Sequence, residues 1–179
     1  MVSQNQIETK NMPQYFIIIL LLLFGPATPC MGQSQVSPPV AGEFGRFTTF
    51  EHLTAEDGLS GNNSWSVVQD HDGFIWIATS SGLNRYDGSR IKIFVDDPND
   101  PHGLTGYSVR NLHVDHSGRL WAGTWRDGLN LYDPAIEGFI RYRHDPKDPD
   151  SLSTDDIRSL YGDRSGNLWV GTEKGGLNK

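Results

Sequence analysis

The stretch DHSGRLWAGTWRDGLNLYD, residues 115–133, decides how the chain is read, because the chain writes it three times. Residues 70–87 spell DHDGFIWIATSSGLNRYD, and residues 163–179 spell DRSGNLWVGTEKGGLNK. Trp76, Trp121 and Trp169 stand 45 and 48 residues apart, and Asp70, Asp115 and Asp163 repeat both intervals, as do Gly73, Gly118 and Gly166. The match runs upstream as well: Leu59, Leu104 and Leu152 each precede their Trp by 17 residues. The connectors DDPNDPHGLTG and HDPKDPDSLST align Pro98 with Pro146 and Pro101 with Pro149. Self-similarity at a period of about 20–50 residues marks a repeat architecture, so the fold is sought in one unit and then multiplied.

Within a unit the residues read as short strands between turns. FIWIAT (74–79) and LWAGT (120–124) are nearly continuous apolar runs, the pattern of strands covered on both faces. The Asp-x-Asp/Ser-Gly before each is turn chemistry, in which the Asp bonds back to local backbone and the Gly takes a positive φ. LNRY and LNLY supply a third strand, and IKIFV (91–95) and FIRYR (139–143) a fourth. Val109 to Leu112 and Ile157 to Leu160 are spaced by three, which is not strand alternation; they read as bulged inner strands, although a short helical turn fits the spacing equally well. Four strands per unit of this length predict an all-β fold of β-propeller blades with four antiparallel strands each. The blades fall at about 59–95, 104–143 and 152–179, two complete and a third in part. RFTTFEHL (46–53) predicts a lone strand ahead of the first blade, of the kind that closes a ring by joining its last blade. Rings take about four to eight blades. The expectation is therefore an amino-terminal part of a longer protein, with the remaining blades as its packing partners.

The leader is read separately. YFIIILLLLF, residues 15–24, is too short an apolar run to span a bilayer, which takes about 20 residues, and it precedes Gly25, Pro26 and a small-residue region. Residues 1–32 read as a secretory signal peptide and 33–46 as a linker to repeats covering 47–179. The single Cys30 lies in the leader behind Pro29, a poor neighbour for lipidation, and cleavage after Gly32 leaves no cysteine for disulfides or metal. The expected location is periplasmic. A formal charge of −7 without a Lys/Arg run argues against direct nucleic-acid contact.

Few residues invite a chemical reading. The repeated Asp, Gly and Trp residues stand where a blade needs a turn and a packed ring, and are assigned to structure. Trp65 and Trp125 break the repeat. Trp125 sits in a turn where the sister units carry Ser80 and Glu173, which makes it the candidate ligand-binding aromatic. DHDG resembles part of a calcium loop, but such a loop needs about six oxygens, and Ser117 and Ser165 replace Asp72 in the sister turns. His113 and His116 straddle a strand and a turn without further ligands. No metal or cofactor is expected. Neither a nucleophile elbow, a phosphate loop nor a carboxylate pair is visible, so no catalytic residue is assigned.

The units and the opening LTAEDGLSGNN closely resemble two-component regulator propeller repeats, known from the periplasmic sensor regions of bacterial hybrid histidine kinases. The resemblance covers residues 47–179; Ala78 departs from it where Gly123 and Gly171 stand, and the second turn of the first unit is one residue shorter. It implies a ligand-sensing segment, dimeric at full length, that responds to an oligosaccharide or other periplasmic ligand and passes the signal to a kinase and its phosphorelay lying outside this segment. The rival readings are an exported propeller enzyme of the sialidase or lyase kind and a non-catalytic binding scaffold.

Overall fold

A computed structural model of the chain describes residues 49–179. The readings of a signal peptide, a linker and a leader cysteine lie outside the described residues. Among the described residues no helix is long and apolar enough to cross a membrane.

The described residues form three antiparallel sheets in chain order. The first holds β1 (Ser64–Gln69), β2 (Ile75–Thr79), β3 (Gly82–Tyr86) and β4 (Ile91–Phe94), each paired with the next. The second repeats this with β5 (Val109–Val114), β6 (Leu120–Thr124), β7 (Leu129–Asp133) and β8 (Gly138–Tyr142). The third holds β9 (Ile157–Gly162), β10 (Leu168–Thr172) and β11 (Gly176–Asn178). β1 lies against β5, and β5 against β9, so the first strand of each sheet meets its neighbour as the inner strands of a propeller do.

The spacing by three in the inner strands is a bulge, as expected, and not a helical turn. Val109 pairs with Thr124 and Asn111 with Gly123, leaving Arg110 as the extra residue; Trp65 and Arg158 hold the same place in β1 and β9. The strand predicted at 46–53 is not found over its described part: residues 49–53 join no sheet, and Phe50 is 80% exposed. A strand exists only with a partner edge, and no sheet among the described residues offers one there.

Each blade is closed at one end by the Asp turn. Asp115 Oδ1 accepts from the backbone N–H groups of Ser117 (2.9 Å) and Arg119 (3.0 Å), while Oδ2 accepts from Trp121 Nε1 at 3.0 Å. Asp70 and Asp163 repeat the arrangement, reaching Trp76 Nε1 at 2.6 Å and Trp169 Nε1 at 2.9 Å. Gly118, at φ 81°, takes the left-handed conformation that the turn demands of its fourth residue. One carboxylate thus fixes both the turn and the ring that the next strand carries.

The Asn of the recurring Gly-Leu-Asn does the corresponding work across the blade. Asn84 Oδ1 accepts from Ser60 N–H (2.8 Å), and its Nδ2 donates to Ile77 O (3.0 Å) and Ser60 Oγ (2.9 Å). Asn178 makes the same bonds with Ser153 and Val170, and Asn130 accepts from Thr105 N–H and Oγ1. This side chain fastens the incoming loop to the third strand. Its recurrence in a strand position, where Asn is otherwise unfavourable, is the sequence signal for that role.

The core lies between blades. Trp76 is wholly buried, stacked on Phe94 (centroids 5.6 Å) and tilted against Tyr132 of the second blade (4.8 Å), with Phe139 closing the cluster. Trp121, Leu129, Ile157 and Val170 form the equivalent layer between the second and third blades.

The Asp turns also set an acid limit. Burial opposes ionisation of Asp115, but hydrogen bonds from the Trp121 indole, from Arg119 and from the Ser117 backbone outweigh it and hold the group down at about 2. Bonds from Asn167 and Trp169 hold Asp163 lower still. A folded-state value below the ordinary 3.8 gives stability that is complete above about pH 4 and lost as pH falls toward 2. Urea midpoints should therefore drop over that window, and Asp115→Asn should flatten part of the drop. A midpoint constant from pH 4 to 2 would contradict the assignment.

Candidate ligand-binding surface

Antiparallel strands put the Asp turns at one rim of the blades and the β2–β3, β6–β7 and β10–β11 turns at the other. The bulges lie at this second rim, at the starts of β1, β5 and β9. A bulge removes its residue from the ladder and re-aims the side chain. Trp65, Arg110 and Arg158 are the residues so released, and they follow the same 45- and 48-residue intervals as the core Trp residues.

Opposite each bulge stands the first residue of the second turn, fixed by one backbone bond. Ser80 N–H donates to Asn63 O (3.1 Å), Trp125 N–H to Ser108 O (2.9 Å) and Glu173 N–H to Asp156 O (2.9 Å). The rim thus carries three matched pairs: Trp65 with Ser80, Arg110 with Trp125, and Arg158 with Glu173. The pairs differ while the backbone beneath them repeats, so their side chains are free of the constraint that fixes the core.

Those side chains are joined into a strip. The Arg110 Cζ lies 4.8 Å from the Trp125 ring centroid and, across the blade boundary, 5.5 Å from that of Trp65. Arg126 Cζ lies 4.6 Å from the Trp125 ring centroid, and Arg126 itself is held at φ 73°, a left-handed conformation that an L side chain adopts at a cost. Trp65 is 54% exposed. Arg158, by contrast, is ion-paired to Glu173 (3.0 Å) and Asp156 (3.5 Å). Between Trp125 and Arg158 runs an open groove of about 450 Å³, lined also by Arg126, Thr154, Asp155, Asp156, Glu173 and Lys174.

A larger cleft of about 880 Å³ lies between the second and third blades, lined by Trp121, Leu129, Tyr142, Leu168 and Val170 among others. Its first three residues match Trp76, Leu83 and Phe94, which pack against the aromatic rings of a neighbouring blade. It is inter-blade packing space, and no ligand is assigned to it. Among the described residues no group of His, Cys, Asp and Glu side chains is placed to hold a metal ion.

The structure places Trp125 on the rim and brings it together with Trp65, the other aromatic that departs from the repeat. Arg110, Arg126 and Arg158 do not stand out in the sequence as read above. The register of the repeat is the signal that finds Arg110 and Arg158, since they occupy the place of Trp65 in the later units. The Asp70, Gly73, Trp76 set and its copies lie toward the opposite rim and in the core, away from this strip.

Known proteins share the repeat and the fold. The family described as two component regulator propeller matches residues 58–81, 103–126 and 151–174. The crystal structure of the extracellular domain of a putative hybrid two component system from B. thetaiotaomicron is 30% identical and superposes with a TM-score of 0.65 over 72% of this chain. Histidine kinase P4 of Formosa agariphila is 36% identical over 56 residues, which are 31% of this chain. The chain spans 20% of the length of the solved domain and 4% of that of the kinase.

Proposed function

Because the chain belongs to the two component regulator propeller family, we propose that it is the exported, ligand-recognising part of a two-component sensor, and that its ligand is an oligosaccharide bound at the rim carrying Trp65 and Trp125. The observation that carries this reading is the contrast between an invariant blade and a variable rim. Asp, Gly, Trp and Asn recur in every unit and are engaged inside the blade, whereas the bulge and turn positions change from unit to unit and carry the exposed Trp65 and the half-buried Trp125. Sugar rings present apolar C–H faces bordered by hydroxyls, and indoles beside guanidinium donors suit both.

Signalling then needs a conformational difference and no chemistry in these residues. A ligand shifts a sensor only by the difference in its affinity for two states, and a rim shared by two blades is a place where a change in blade spacing would alter binding. Kinase and phosphorelay activity would belong to other parts of the full protein, which acts as a dimer in the periplasm and at the inner membrane.

Titration with neutral and acidic oligosaccharides, followed by tryptophan fluorescence and calorimetry, tests the reading. Trp125→Ala should weaken binding by about ten-fold, the equivalent of about 1.4 kcal/mol, and leave the melting temperature within about 2 °C, because the ring is outside the inter-blade core. Binding unaffected by Trp125→Ala and Trp65→Ala together would remove this rim from the proposal.

A further inference from the structure

Arg110 occupies a bulge position whose copy in the third blade, Arg158, is neutralised within the protein. Asp156 and Glu173 both reach Arg158. At Arg110 the residue matching Glu173 is Trp125, and that matching Asp156 is Ser108. Neither carries a charge. Among the described residues no carboxylate lies within ion-pair distance of Arg110, and its Nε is buried without a hydrogen-bond partner. The blade therefore keeps the cation and replaces both of its counter-ions, one of them by an aromatic surface.

We propose that this rim selects a negatively charged sugar: the ring stacks on the exposed Trp65 indole beside half-buried Trp125, and a carboxylate or sulfate on the ring takes the Arg110 guanidinium. The inference rests on the oligosaccharide reading above and adds its charge class. Guanidinium matches carboxylate and sulfate oxygens with paired N–H donors, and such charge-assisted bonds are stronger than neutral ones. The indoles on either side exclude water from the pair and so strengthen it. Arg126 adds a second cation against Trp125 with no carboxylate partner among the described residues. The nearby acids are already engaged: Asp156 and Glu173 by Arg158, Asp127 and Asp155 by Arg143.

The test is calorimetry on the purified chain at about 0.15 M salt, where exposed charges are screened beyond about 8 Å. Three probes are compared: a uronic acid tetrasaccharide, the same tetrasaccharide with its carboxyls reduced to alcohols, and a sulfated tetrasaccharide. At least one acidic probe should bind ten-fold or more tightly than the reduced one, and whichever does so identifies the anion. Arg110→Gln should abolish that preference, costing the preferred acidic probe ten-fold or more in affinity and the reduced probe much less; Arg164→Gln, on the opposite rim, should leave the preference intact. Should Arg110→Gln not fold, the preference measured on the unaltered chain, and its loss on raising the salt, decide the matter. Equal affinity for acidic and reduced probes would overturn the charge selection and leave the oligosaccharide reading standing. No binding of any probe would overturn both.

Discussion

Trp76→Ala should lower the stability of the repeat region by about 3–5 kcal/mol, the usual cost of deleting a large buried ring. The ring is wholly buried, touches Phe94 of its own blade and Tyr132 of the next, and donates its N–H to Asp70 at 2.6 Å. Its removal opens a cavity at a blade boundary and leaves the Asp70 carboxylate one donor short. For a domain of this size the loss amounts to a fall of roughly 10–20 °C in melting temperature. Trp76→Phe should recover part of it, since packing returns and the indole bond does not. Trp121→Ala should cost less, because that ring meets one aromatic, Tyr142, at 5.8 Å. A melting point for Trp76→Ala within about 2 °C of the unaltered chain would refute the core assignment.

Asn84→Ala should cost on the order of 3 kcal/mol, large for a polar residue with no part in chemistry. Asn84 is wholly buried, and its truncation strands the Ser60 N–H and frees Ile77 O and Ser60 Oγ from their side-chain partner. Leaving a buried polar group unsatisfied costs about 1–3 kcal/mol. Asn84→Asp should be similarly poor, because a carboxylate can accept from Ser60 N–H but cannot donate to Ile77 O. Asn130→Ala should be milder: Asn130 Nδ2 has no partner to lose. Chemical denaturation of the three variants checks the order, and equal losses at Asn84 and Asn130 would contradict it.

These two residues show how the sequence could and could not be read. Trp76 is visible because a bulky ring recurs at fixed spacing inside an apolar run, and burial follows from composition. Asn84 is visible as part of Gly-Leu-Asn, but its partners lie 24 and 7 residues away, and only the folded blade brings Ser60 beside it. The inner strands illustrate the same limit. Val109 and Leu112 are both buried three residues apart, which a helical turn would also achieve; the bulge at Arg110 emerges from pairing with β6, a partner that local sequence does not name. The lone strand expected at 46–53 was to join the last blade of a ring, a partner not among the described residues, and residues 49–53 join no sheet.

The sequence by itself determined the repeat, its four-strand period, and the Trp125 departure from it, because periodicity and turn chemistry are local and each unit states them again. The tertiary structure decided what the departures amount to. Trp65 and Arg110 stand 45 residues apart in the chain, and Trp125 another 15 beyond. They become one cation-aromatic strip because bulges release them at the same rim and neighbouring inner strands bring that rim together. Contact across a blade boundary depends on how sheets pack, and packing is a property of the assembled blades rather than of any single unit.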